Sequence, residues 1–164
     1  MLSTFIADNY ALVRVILVVG VLALIALAIV LARAGDRGRR ISGFLGGAAL
    51  LVVILLTLTP HGKQLPPAEC YLVVDGPLWD IYNVALFLLP ALFFVVATRR
   101  PLLVLLGAIA LSALIEVVQQ LLQGLLSRAC DINDWVANST GAAVGVLIAF
   151  VIVTLVRRRS VAGA

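Results

Sequence analysis

Runs of about 20 apolar residues, the length that crosses a bilayer as helix, dominate this chain. They read as Ala11–Leu31, Ile41–Thr59, Ile81–Ala97, Leu102–Leu122 and Trp135–Val156. With 63% of the 164 residues hydrophobic and only 12% charged, the composition lies outside the soluble range. The whole chain, residues 1–164, therefore reads as one membrane domain, an all-α polytopic bundle of transmembrane helices.

Charge placement sets an expected orientation, because basic residues in short connections stay on the cytoplasmic side. Arg33, Arg37, Arg39 and Arg40 follow the first span, Arg99 and Arg100 the third, and Arg157, Arg158 and Arg159 the fifth. The acidic residues Asp8, Glu69, Asp75, Asp80, Glu116, Asp131 and Asp134 fall toward the opposite ends, and Asp36 alone lies in a basic connection. This places the N-terminus outside and the C-terminus inside. The basic pI, about 9.7, is then a topology signal that predicts contact with anionic lipid and no nucleic acid partner. The small-x-small site in Leu31–Gly35 follows an apolar run longer than a signal h-region and precedes a basic cluster, so it reads as part of a retained anchor.

Cys70 and Cys130 both fall on the outer side by an assignment that did not use them. In an oxidising exterior a disulfide between two outer loops is the leading expectation over free thiols. A thiolate nucleophile or a metal pair lacks partners, since the one histidine, His61, is a lone loop residue after Pro60. No metal or cofactor is expected. The connection from Pro60 to Asp80 is rich in proline and glycine, which argues against regular helix there. Within it Tyr71–Val74 reads as a short strand or an interfacial segment, and Trp79 and Tyr82 suit an aromatic belt. Gly43, Gly46 and Gly47 read as small residues that permit close helix contact.

Polar residues inside the spans carry the functional signal. At 100° per residue, Glu116, Gln119, Gln120 and Gln123 form one stripe on the fourth span. Asp131, Asp134, Asn138, Gly141 and Gly145 share one face of the fifth, with Asp131 suited to cap it and Asp134 in its first turn. Asp80, Asn83 and Phe87 line the third, followed by Pro90, which leaves the Leu86 carbonyl without its usual donor. Taken singly these are ordinary features: amides as interhelical glue, acids as caps, Arg14 snorkelling to headgroups, Arg128 as a loop cation. Together they predict one inward-turned chamber near the outer surface, because an unpaired carboxylate at depth costs at least ~2.5 kcal/mol.

The pattern Glu116-x2-Gln119, then Arg128-x2-Asp131-x2-Asp134-x3-Asn138-x2-Gly141-x3-Gly145, preceded by Asn83-x3-Phe87-x2-Pro90, resembles the VanZ-like family of bacterial membrane proteins. The resemblance covers about Pro60 to Phe150, and the block from Arg128 to Gly145 is its specific part. It departs at Leu92, where a glycine is expected, and leaves the first span unmatched. It implies a multi-pass protein of the bacterial cytoplasmic membrane associated with resistance to glycopeptide antibiotics of the teicoplanin type.

Three functions follow as expectations. The first is a non-catalytic site for a lipid-linked or amphiphilic cell-envelope ligand, such as a cell-wall precursor or a lipoglycopeptide. Glu116, Gln119, Gln120, Gln123, Arg128, Asp131, Asp134, Asn138 and Asn83 would bind it, and Gly141, Gly145 and Pro90 would be structural. The second is a membrane enzyme in which Glu116 and either Asp131 or Asp134 divide acid and base roles on a lipid-linked substrate. In the third, the polar face docks another membrane protein.

Overall fold

The structure, a computed structural model, describes residues 9–60, 69–74 and 80–162. Asp8, His61, Asp75 and Trp79, with the expectations attached to them, lie outside the described residues. Six helices follow in order: α1 (Tyr10–Arg33), α2 (Gly35–Leu58), α3 (Ile81–Thr98), α4 (Pro101–Leu121), the four-residue α5 (Gln123–Leu126) and α6 (Ile132–Ala162). All except α5 are long and apolar enough to cross a membrane. At 1.5 Å per residue they run from ~27 Å for α3 to ~46 Å for α6, against a hydrocarbon core of ~30 Å.

The connections at one end of the bundle are tight and basic. Between α1 and α2 only Ala34 intervenes, and Gly35 turns the corner at φ 60°. The basic stretch after α1, expected to precede the second span, is instead helical as the first turns of α2. A side chain at Gly38 would collide with the Leu31 carbonyl, so the two helices meet there backbone to backbone. Arg99 closes α3 in the left-handed region, its N–H donating to the Val95 carbonyl at 2.9 Å, and Pro101 opens α4. A proline at a helix start gives up an N–H that would have no intrahelical acceptor anyway.

Helix α3 sits at the centre, packed against α1, α2, α4 and α6. Phe87, Leu92, Val95 and Val96 of α3 are buried against Ala28 of α1, Val53 of α2 and Ala142 and Ala149 of α6. Pro90 does not break α3, which continues through it. The most extensive pairing is α3 with α6, and small residues make it possible. A Cβ at Gly141 would run into the Val84 carbonyl and one at Gly145 into that of Leu88. Lipid supplies no hydrophobic drive for such pairing, so close backbone approach and dispersion carry it. Gly43 and Gly46 meet Ala97 and Phe94 of α3, whereas Gly47 faces open space.

The large apolar side chains that remain exposed, such as Val15, Ile16, Val19 and Leu22 on α1 and Leu102, Leu103 and Leu106 on α4, point away from this core. That is the surface a bundle presents to lipid tails. Among the described residues there is no strand: Tyr71–Val74 makes only a single parallel bridge, Tyr71 to Asp131, and its side chains are exposed.

Candidate functional site

The polar residues gather at the end of the bundle opposite the basic connections. Helix α4 stops at Leu121, α5 makes one turn, Ser127 reverses the chain at φ 55°, and residues 127–130 lead down to α6. The head of α6 is thereby brought level with Glu116, more than a turn below the end of α4. Glu116 Oε2 accepts the Asp131 backbone N–H at 2.9 Å, and Gln120 Oε1 accepts that of Cys130 at 3.4 Å. Two polar side chains of α4 thus hold the segment that starts α6.

Asp131 caps α6 as expected. Its Oδ1 accepts both the backbone N–H and the side-chain amide of Asn133, at 2.8 and 2.9 Å, and the same amide reaches the Val73 carbonyl at 3.1 Å. Tyr71 pairs through its backbone with Cys130 and Ile132. The Cys70–Cys130 disulfide, with Cα atoms 4.8 Å apart, locks this loop to the head of α6. Asp134 in the first turn of α6 accepts from the Asn83 amide of α3 at 2.5 Å. Glu116 lies within the electrostatic reach of Asp134, Asp131 and Arg128, and Asp134 within that of Asp131, Asp80 and Arg128. Acids at the ends of three helices and the half-buried Arg128 therefore share a neighbourhood.

The stripe read on the fourth span divides. Gln119 is buried and donates to the Thr57 carbonyl of α2 at 3.0 Å, so it is interhelical glue and does not line the space beside Glu116. Gln123 falls beyond the end of α4, on α5, because the helix does not run on to Leu122. Asn138 is only 3% exposed, and its Oδ1 has no hydrogen-bond partner among the described residues. Arg14 lies over the Tyr10 ring, 4.2 Å from its centre, and so stays with its own helix. Asp80 caps α3 by accepting the Tyr82 N–H at 2.9 Å.

A cavity of about 400 Å³ opens beside Glu116 between α4 and α6. Its walls are Leu72, Ala113, Val117, Leu121, Ile132 and Trp135, Glu116, Gln120 and Asp131 border it while presenting almost no polar surface to it, and the disulfide closes one side. Trp135 is fixed by its indole N–H donating to the Ile109 carbonyl of α4 at 3.3 Å. Walls of this kind suit an apolar ligand segment. Among the described residues no three His, Cys, Asp or Glu side chains cluster as metal ligands.

The apolar cavity walls escaped the sequence reading, Trp135 among them, and so did Asn133 and the Gln119 acceptor, Thr57. Asn133, two residues after Asp131, had a signal in the Asx-type turn that such spacing favours. Trp135 had one as well, since four residues after Asp131 it shares that residue's helix face. Thr57 had none, because its contribution is a backbone carbonyl.

Compared with known families, residues 19–154 match the VanZ/LLP1 family. The chain belongs to the VanZ/LLP1 family. The match starts at Val19 in α1 and takes in all of α2, so the later part of α1 and α2, unmatched by the sequence motif, are part of the family architecture. No curated protein and no solved structure matches the chain. Within this VanZ/LLP1 bundle the motif divides by role. Gly141 and Gly145 set the α3–α6 contact, Asn83 and Asp134 pin it, and Glu116 and Asp131 tie α4 to α6.

Proposed function

We propose that this VanZ/LLP1 protein is a binding module of the bacterial cytoplasmic membrane. In this reading the N-terminus is outside, the C-terminus inside, and the cavity beside Glu116 opens to the outer leaflet. It holds a lipid-linked or amphiphilic cell-envelope ligand. The observation that carries the reading is an apolar cavity, with walls such as Leu72, Val117 and Trp135, set directly beside the Glu116–Asp131 hydrogen bond.

An acyl chain that leaves water for those walls gains ~0.8 kcal/mol for each methylene it buries, and one already in the bilayer gains close packing. The ligand's polar head then lies where Glu116, Asp131 and Arg128 interact. A guanidinium there suits a carboxylate or phosphate on that head. A teicoplanin-type glycopeptide, which carries an acyl chain, and a lipid-linked cell-wall precursor both meet this description, and resistance to such drugs is the cellular role proposed.

Cells expressing the wild-type chain or Glu116→Gln, with membrane abundance quantified, test the reading. Glu116→Gln keeps an acceptor for the Asp131 N–H, so abundance is retained while protection against the acylated glycopeptide falls. Unchanged protection at equal abundance, or no protection by the wild type, contradicts the proposal.

A further inference from the structure

A second cavity, about 880 Å³, lies at the basic end between α1, α3 and α6. Arg33, Arg99, Arg157 and Arg158 line it, with Val95, Phe150 and Val153 deeper in. None of its lining residues is Asp or Glu. Among the described residues the ion pair is Arg39–Asp36, at 3.5 Å, and it involves none of these four arginines.

Basic residues at inner helix ends are the ordinary consequence of topology. Topology does not explain a cavity behind them, nor the conformation of Arg99. Its φ of 60° lies where side chains are disfavoured and glycine is the usual residue. Its Nη2 donates to the Ala32 carbonyl at 3.4 Å, which aims the guanidinium across the mouth toward α1. Burial, and then the charge of Arg39, hold Arg99 below the ordinary arginine range. Four guanidinium groups thus line one groove with no carboxylate among its lining residues.

We propose that this cavity is a binding site for an anionic phospholipid, its phosphate held among Arg33, Arg99, Arg157 and Arg158 and one acyl chain laid along Val95, Phe150 and Val153. Guanidinium groups grip phosphate through paired N–H bonds, and the apolar walls select a lipid over a free anion. The site is independent of the one beside Glu116, at the other end of the bundle.

Native mass spectrometry of the detergent-solubilised full chain, titrated with dioleoyl phosphatidylglycerol, tests this. Phosphatidylcholine with the same chains and inorganic phosphate are the comparison arms. Phosphatidylglycerol is expected to be retained about tenfold better than phosphatidylcholine, and inorganic phosphate is expected not to displace it. Arg99→Gln, and separately the double variant Arg157→Gln with Arg158→Gln, should each lower retention roughly fivefold or more. Arg37→Gln, exposed at the same end but outside the cavity, should leave it unchanged. Should Arg99→Gln fail to fold, the double variant, which alters exposed side chains only, decides the question. Equal retention of phosphatidylcholine, displacement by inorganic phosphate, or an equal loss in Arg37→Gln overturns the proposal.

Discussion

Glu116 on α4 and Asp131 at the head of α6 are joined by a hydrogen bond from a backbone N–H to a carboxylate oxygen, at 2.9 Å. The bond needs an acceptor oxygen at that place, not a charge. Glu116→Ala removes the acceptor and leaves a half-buried N–H unsatisfied, a loss of about 1–3 kcal/mol. Glu116→Gln retains an oxygen and should lose less than ~1 kcal/mol. Thermal unfolding of the purified chain in one detergent should rank wild type and Gln together, with Ala below. Equal losses for Gln and Ala would show that the charge does the holding.

The α3–α6 contact predicts a contrast among glycines. At Gly141 and Gly145 a methyl group meets the carbonyls of Val84 and Leu88, so Gly141→Ala and Gly145→Ala each force two helices apart. Overpacking of this kind costs about 1–3 kcal/mol. Gly47→Ala on α2 opens into free space and should be neutral, or stabilising by up to ~1 kcal/mol through helix propensity. Unfolding midpoints of the three variants check this.

The disulfide links residues 60 apart in sequence, so on the chain-entropy account it contributes about 4 kcal/mol. Reduction, or Cys70→Ala with Cys130→Ala, should lower the unfolding midpoint and loosen the exposed Tyr71–Val74 segment against α6. A maleimide-polymer gel shift should label neither cysteine before reduction and both after it. Labelling without reduction would remove this link.

The five crossings were legible in the sequence because a run of about 20 apolar residues has few other ways to satisfy its backbone in lipid. The cap at Asp131 and the helix face shared by Asp134, Gly141 and Gly145 were legible too, since both depend on spacing within one helix. Partners were not. Periodicity places Gln119 beside Glu116 on α4, yet Gln119 turns to Thr57 of α2 while Glu116 turns to Asp131. Neighbours on one stripe can serve different helices, and only packing decides which. The end of α4 at Leu121 falls within one residue of the expected end of the span at Leu122, whereas the extra turn Gln123–Leu126 and the left-handed Ser127 after it escaped, because Gly124, Leu125 and Leu126 carry no signal that separates a short turn from a frayed helix end. The Cys70–Cys130 disulfide was legible from the shared outer side of the two cysteines, but the Tyr71–Asp131 bridge beside it does not follow from local propensity.

The most direct test is photolabelling of the full chain in lipid nanodiscs with a glycopeptide whose acyl chain carries a diazirine, read by peptide mapping. The account predicts labels on the cavity walls, at Val117, Leu121 and Trp135, competed away by unlabelled acylated glycopeptide but not by the same glycopeptide lacking its chain. Labels on Val15, Ile16, Val19 and Leu22 of α1 or on Leu102, Leu103 and Leu106 of α4, all exposed and outside the cavity, or labels insensitive to that competitor, would contradict it.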